Sequence, residues 1–129
     1  MKKKPSKKPV DGPHQEFYAG GELMAKGQYK AGKRHGTWTY YLVNGKRKAV
    51  GKLVEGKFDG KWQWWRENGQ LLQVGSFKNG LQVGMWRRYY DNGQLIDEGK
   101  FDAGKKVGPW KVYDKTGKLK QEKVYRPKN

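Results

Sequence analysis

Aromatic, aliphatic and glycine positions alternate with lysine-rich polar ones in a pattern that returns every 24 residues. Trp38, Trp62, Trp86 and Trp110 keep this step, and so do Gly27, Gly51, Gly75 and Gly99. Tyr29, Leu53, Phe77 and Phe101 form a third series, and Tyr41, Trp65, Tyr89 and Tyr113 a fourth. Leu23, Leu71, Leu95 and Leu119 form a fifth, in which Arg47 takes the vacant place. Glycines 32, 56, 80 and 104, then 36, 60, 84 and 108, then 45, 69, 93 and 117 punctuate each unit. One step before the first unit stand Gly12, His14 in the tryptophan place, and Phe17; one step past the last stand Lys123 and Tyr125. The chain is one small unit copied about four times, with degraded half-units at its ends where caps are expected.

Each unit reads as a β-hairpin. Asn44-Gly45, Asn68-Gly69 and Asn92-Gly93 are type I′ dipeptides, because Asn and Gly tolerate the positive φ that both central positions need. Thr116-Gly117 is a weaker version, and the opposite ends read as glycine-bounded loops such as residues 32–36. No segment combines helical periodicity with caps. The expected fold is all-β: an elongated, single-sheet antiparallel meander of about eight to ten strands, roughly 40 Å long at the usual strand spacing. A two-residue turn at Asn44-Gly45 sets Trp38 opposite Gly51, Trp62 opposite Gly75 and Trp86 opposite Gly99. Each indole is then expected to lie across the bare backbone of the glycine it faces. The second unit admits two readings, one with Leu53 in the aromatic place and one with Asp59-Gly60 closing a tighter hairpin after Phe58.

The run Gly-x-Phe-x-x-Gly-x-x-x-Gly-x-Trp-x-x-Tyr-x-x-Asn-Gly from Gly75 to Gly93 resembles the MORN-repeat variant, which also occurs in bacterial YwqK-family antitoxins. The resemblance covers residues 12–126. It implies an extended array of β-hairpins with a non-enzymatic role in protein contacts, scaffolding or lipid contacts, and an antitoxin-like association. High basicity and a lysine-rich leader depart from that pattern.

The organisation follows: a basic leader over residues 1–11, the repeat domain over 12–126, and a tail at 127–129. Hydrophobic residues make up only 34% of the chain, so aromatics must carry the burial of a one-layer sheet. There are no cysteines, which removes disulfides and thiolate metal sites. The leader has lysines but no apolar stretch after them, and no run approaches transmembrane length, so a cytoplasmic protein is expected. The net charge is +17; the leader, with five lysines and one aspartate, holds +4 of it and the repeats +13. A surface so basic favours acidic partners. The plain alternative is a solvated lysine face that keeps open strand edges from aggregating.

Turn parity divides the side chains. One face carries Trp38, Trp62, Trp86 and Trp110 over Gly51, Gly75 and Gly99, with Leu71, Leu95, Phe77 and Phe101, and reads as structural. The other carries Tyr41, Trp65, Tyr89 and Tyr113 among Lys48, Lys52, Lys78, Arg87, Lys100, Lys111 and Lys120, with fewer acidic residues, Glu98, Asp102 and Glu122 among them, and reads as the binding face. Equivalent aromatics lie two strands apart, roughly 10 Å, which rules out continuous base stacking but leaves contact at intervals. A structural role for this second aromatic row, as cover for the sheet, stands beside the binding one. Catalytic constellations are absent: His35 is replaced by Asp59, Val83 and Val107 in the other units, and the carboxylates are scattered. No enzyme, cofactor or metal is expected. The first expectation for a partner is an acidic protein, a toxin by the resemblance; the second is nucleic acid; the third is anionic lipid. Homodimerisation through an edge or a sheet face stays open.

Overall fold

Turn chemistry sets the strand boundaries. The computed structural model describes residues 10–126; the leader before residue 10 and the tail at 127–129 lie outside the described residues. Ten strands follow in chain order: β1 (Gly12–Phe17), β2 (Leu23–Lys30), β3 (Lys33–Tyr41), β4 (Arg47–Val54), β5 (Lys57–Trp65), β6 (Leu71–Lys78), β7 (Leu81–Tyr89), β8 (Leu95–Asp102), β9 (Lys105–Tyr113) and β10 (Leu119–Tyr125). They form one antiparallel sheet in which every strand pairs with its neighbours in sequence.

The two kinds of turn sit at the ends opposite to those expected. Two-residue type I′ turns join β2 to β3, β4 to β5, β6 to β7 and β8 to β9: Ala31, Glu55, Asn79 and Ala103 take φ of 52, 51, 51 and 48°, each followed by a glycine also at positive φ. The Asn-Gly end carries a three-residue loop instead. There Gly45 N–H donates to the Leu42 carbonyl and Leu42 N–H to that of Lys46, and among residues 43–45 only Gly45 has positive φ. This is a type I turn followed by a left-handed glycine. The Asn44 carboxamide oxygen accepts the Lys46 N–H at 2.9 Å, and Asn68 and Asn92 repeat that bond.

The expected pairing still holds, because two shifts cancel. The longer loop pairs Tyr41 with Arg47, and a one-residue bulge at Lys48 then restores Tyr40↔Ala49 and Trp38↔Gly51. Trp62↔Gly75 and Trp86↔Gly99 follow in the same way, past bulges at Leu72 and Ile96. Leu53 pairs with Phe58 across the Glu55-Gly56 turn, so the ungapped reading of the second unit is correct and no hairpin closes at Asp59-Gly60. Leu71 and Leu95 are corrected as well. The bulges make them cross-strand partners of Trp65 and Tyr89, away from the tryptophan row.

The indoles cover a different glycine from the one expected. A Cβ built on Gly27, Gly51, Gly75 or Gly99 would fall inside the ring of Trp38, Trp62, Trp86 or Trp110 respectively. Each ring thus lies on the glycine eleven residues before it, across the type I′ hairpin, and not on its Asn-Gly hairpin partner. The cause is a second irregularity. Gly27 faces the three residues Gly36-Thr37-Trp38, since Lys26 pairs with Thr39 but Gln28 with His35. The indole folds back into that gap and replaces the missing ladder bond: Trp38 Nε1–H donates to the Gln28 carbonyl at 3.0 Å. Trp62, Trp86 and Trp110 donate in the same way to the carbonyls of Lys52, Ser76 and Lys100 at 2.9, 3.2 and 3.1 Å.

This clasp explains how a one-layer sheet has a core. Trp38 is 0% exposed and Trp110 7%. Rings on alternate strands lean towards each other over the small residues between them: Tyr40 meets Trp62 at 6.2 Å and Trp64 meets Trp86 at 5.7 Å. Their strands stand roughly 10 Å apart. Buried Ala49 and Gly51 on β4 leave the space for the first of these contacts.

Candidate binding face

The face away from the indoles is built in three rows. Nearest the Asn-Gly loops, Tyr41, Trp65, Tyr89 and Tyr113 are the last residues of β3, β5, β7 and β9, and all four are half-buried. Side chains from the preceding repeat anchor the backbone of three of them, all but Trp65. Tyr18 Oη–H donates to the Tyr41 carbonyl (2.7 Å), Arg66 Nη2–H to that of Tyr89 (2.9 Å) and Tyr90 Oη–H to that of Tyr113 (2.8 Å). Lys48 and Lys120, with Leu72 and Ile96, occupy the bulge positions beside this row. A bulge re-aims its side chain and ends regular pairing locally, and Lys48 and Lys120 are exposed there.

Cations also lie over the aromatics. The Arg47 guanidinium sits 4.4 Å from the Trp65 ring centre, and Lys26 Nζ 5.9 Å from that of Tyr41. Arg47 was not among the expected site residues. Its signal in the sequence is the break it makes in the leucine series.

The middle row changes character along the sheet. Val50, Gln63 and Val74 pair across β4, β5 and β6. Arg87, Glu98, Lys111 and Glu122 continue the row across β7 to β10, and Arg87 Nε–H donates to Glu98 at 2.9 Å. Arg87 is therefore engaged, and Lys111 stands between two glutamates in register. The third row holds exposed Lys52 and Lys100, to which the structure adds Lys61 opposite Ser76. Lys52 lies 3.9 Å from Asp59, while no ion pair involves Lys48, Lys61, Lys78, Lys100 or Lys120 among the described residues. Lys78 stands at the end of β6, beside the Asn79-Gly80 turn.

The tryptophan face has a polar break. Arg88 replaces the aromatic of the Tyr40 and Trp64 place and meets Asp97, 8% exposed, at 2.6 Å. Hydrogen bonding to that carboxylate outweighs burial and holds the guanidinium more firmly protonated. A notch of about 120 Å³ opens here between Trp86 and Trp110. Among the described residues no three His, Asp or Glu side chains are grouped to hold a metal, and no helix is long and apolar enough to cross a membrane.

Register and clasp together define a unit of two strands, a bulged glycine and an indole. The profile of the MORN repeat variant matches residues 10–31, 58–79, 82–103 and 106–126, more than half of the chain. The chain belongs to the MORN-repeat variant family. Residues 32–57 fall between its matches, yet they carry the same clasp and pairing as the other MORN units. That stretch holds the family's weakest positions here, Arg47 for leucine and Leu53 for an aromatic. No curated protein matches the sequence. MORN repeats point to a binding or scaffold role in general.

Proposed function

We propose that this MORN-repeat protein is a non-enzymatic binding module that engages an acidic protein through the face opposite its indoles, as an antitoxin would mask a toxin. The observation that carries this reading is the combination of exposed cations without an ion-pair partner among the described residues (Lys48, Lys61, Lys78, Lys100 and Lys120) with a half-buried aromatic row on one face. Cations without partners steer an acidic surface during encounter, and aromatics held by anchored backbone supply contact area at little entropic cost. An acidic protein fits better than a nucleic acid strand. Equivalent aromatics stand roughly 10 Å apart, about three times the spacing of stacked bases, and Glu98 and Glu122 interrupt the cation row where phosphates would track.

The test is fluorescence anisotropy of a labelled polyglutamate peptide and of a single-stranded oligonucleotide of equal charge, each at two salt concentrations, with anionic vesicles run in parallel by cosedimentation. Tighter binding of the peptide, weakened about tenfold by K61E/K100E, supports the reading. Tighter binding of the oligonucleotide would transfer the face to nucleic acid. Binding that follows only the anionic lipid content of the vesicles would transfer it to membranes.

A further inference from the structure

Every junction of an even-numbered strand with the next odd-numbered one is closed by the same clasp of glycine, indole and indole N–H on a carbonyl. Among the described residues β1 and β10 are the outer strands of the sheet, and their free sides are the separated halves of one more such junction. β1 meets β2, and β9 meets β10, through the register of the Asn-Gly hairpins, with His14↔Gly27 and Trp110↔Lys123. The side of β10 left open is therefore the one on which β2, β4, β6 and β8 present their glycine. The side of β1 left open is the one on which β3, β5, β7 and β9 clasp with their tryptophan. A second copy, entering β1 first against β10, would continue the array without a break in the strand pattern.

Both halves of that clasp are missing. The glycine place of β10 holds Lys123 and the tryptophan place of β1 holds His14. At each internal glycine a single Cβ would already overlap the ring, so the Lys123 side chain excludes an indole from a docking strand. Its Nζ instead lies 4.9 Å from the Tyr125 ring centre. His14 offers a smaller ring, packed edge-on against Tyr29 at 4.7 Å, and cannot span the gap that an indole fills. The other features of a junction are kept: Gly12 stands in the bulge-glycine place and Tyr125 in the aromatic one. We propose that Lys123 and His14 are a matched pair of caps that stop further copies of this chain from extending the sheet head to tail.

Restoring both halves should therefore create an assembly. Sedimentation velocity is run on the wild type, H14W, K123G and H14W/K123G at about 0.5 M salt, which screens repulsion between basic copies. The wild type and both single variants are expected as monomers, and the double variant as chains whose mass grows with concentration. H14W/K123A removes the charge but keeps a Cβ, and is expected to stay monomeric. Mixing the two single variants, which carry one half-clasp each, should yield a dimer even where the double variant folds poorly. A wild type as assembled as the double variant would overturn the proposal. So would a double variant that is folded by circular dichroism yet monomeric, single variants that do not associate on mixing, or assembly of H14W/K123A to the same mass.

Discussion

At the scale of the residue, glycine and indole are one device, and this makes their energetics non-additive. Trp86→Ala should cost about 3–5 kcal/mol in denaturant unfolding, since it removes a buried ring and leaves the Ser76 carbonyl without its donor. Gly75→Ala should cost about 1–3 kcal/mol or more through overpacking. Because the clash needs the ring, Gly75→Ala in the Trp86→Ala background should be nearly neutral, and a double-mutant cycle measures the difference. Equal costs in both backgrounds would show that the glycine serves another purpose. Both series, and the pairing of Trp86 with Gly99, could be read from the sequence. Which glycine lies under the ring could not, because that depends on a bulge whose only local sign is Gly84 at positive φ. A second residue-scale prediction concerns Asp114. Its carboxylate accepts the Thr116 hydroxyl at 2.6 Å and the backbone N–H groups of Lys118 and Thr116, which hold its pKa below the usual 3.8. A depressed folded value means that the turn's stabilisation is complete above 3.8 and is lost as pH falls through the lower folded value. Amide chemical shifts of Thr116 and Lys118 should therefore titrate with a midpoint below 3.8; a midpoint at or above it would contradict the assignment.

At the scale of the element, each hairpin end has its own turn chemistry, and the Asn-Gly dipeptide misleads about which is which. Asn tolerates positive φ, so Asn-Gly suggests type I′; yet Asn44 uses its carboxamide to hold the Lys46 N–H and leaves the left-handed position to Gly45 alone. The genuine type I′ turns include Ala31-Gly32 and Ala103-Gly104, where alanine bears a conformation that costs it about 1–2 kcal/mol. Asn79 fills the same place in the third unit. Ala103→Asn should therefore stabilise the protein by up to about 1 kcal/mol, read as a higher denaturant midpoint at unchanged slope. The pairing beyond the turns was legible all the same, because the extra loop residue is undone by the bulge at Lys48. That same bulge is what turns Lys48 outward as a candidate contact.

At the scale of the whole molecule, charge and burial run against each other. With a net charge of +17 and few ion pairs among the described residues, self-repulsion opposes the folded array. The melting temperature should accordingly rise between about 0.02 and 0.5 M sodium chloride as repulsion is screened; a flat or falling response would assign the lysines to compensated positions. The division into two faces was legible from parity, save for Leu71 and Leu95, which the bulges carry to the other face. Parity also set Glu98 and Glu122 on the second face; what it did not show is that Arg87 Nε–H is held by Glu98 at 2.9 Å, which takes Arg87 out of the free cations. The meander has a further consequence. Its ladder bonds run perpendicular to the strands and β1 and β10 lie at opposite ends of the sheet, so a pull on the two termini loads those bonds one strand at a time along their own direction. The molecule should behave under tension as a zipper with no shear lock. An optical trap should record low-force, stepwise extension, each step releasing one hairpin and its indole, and on relaxation the chain should re-form unit by unit.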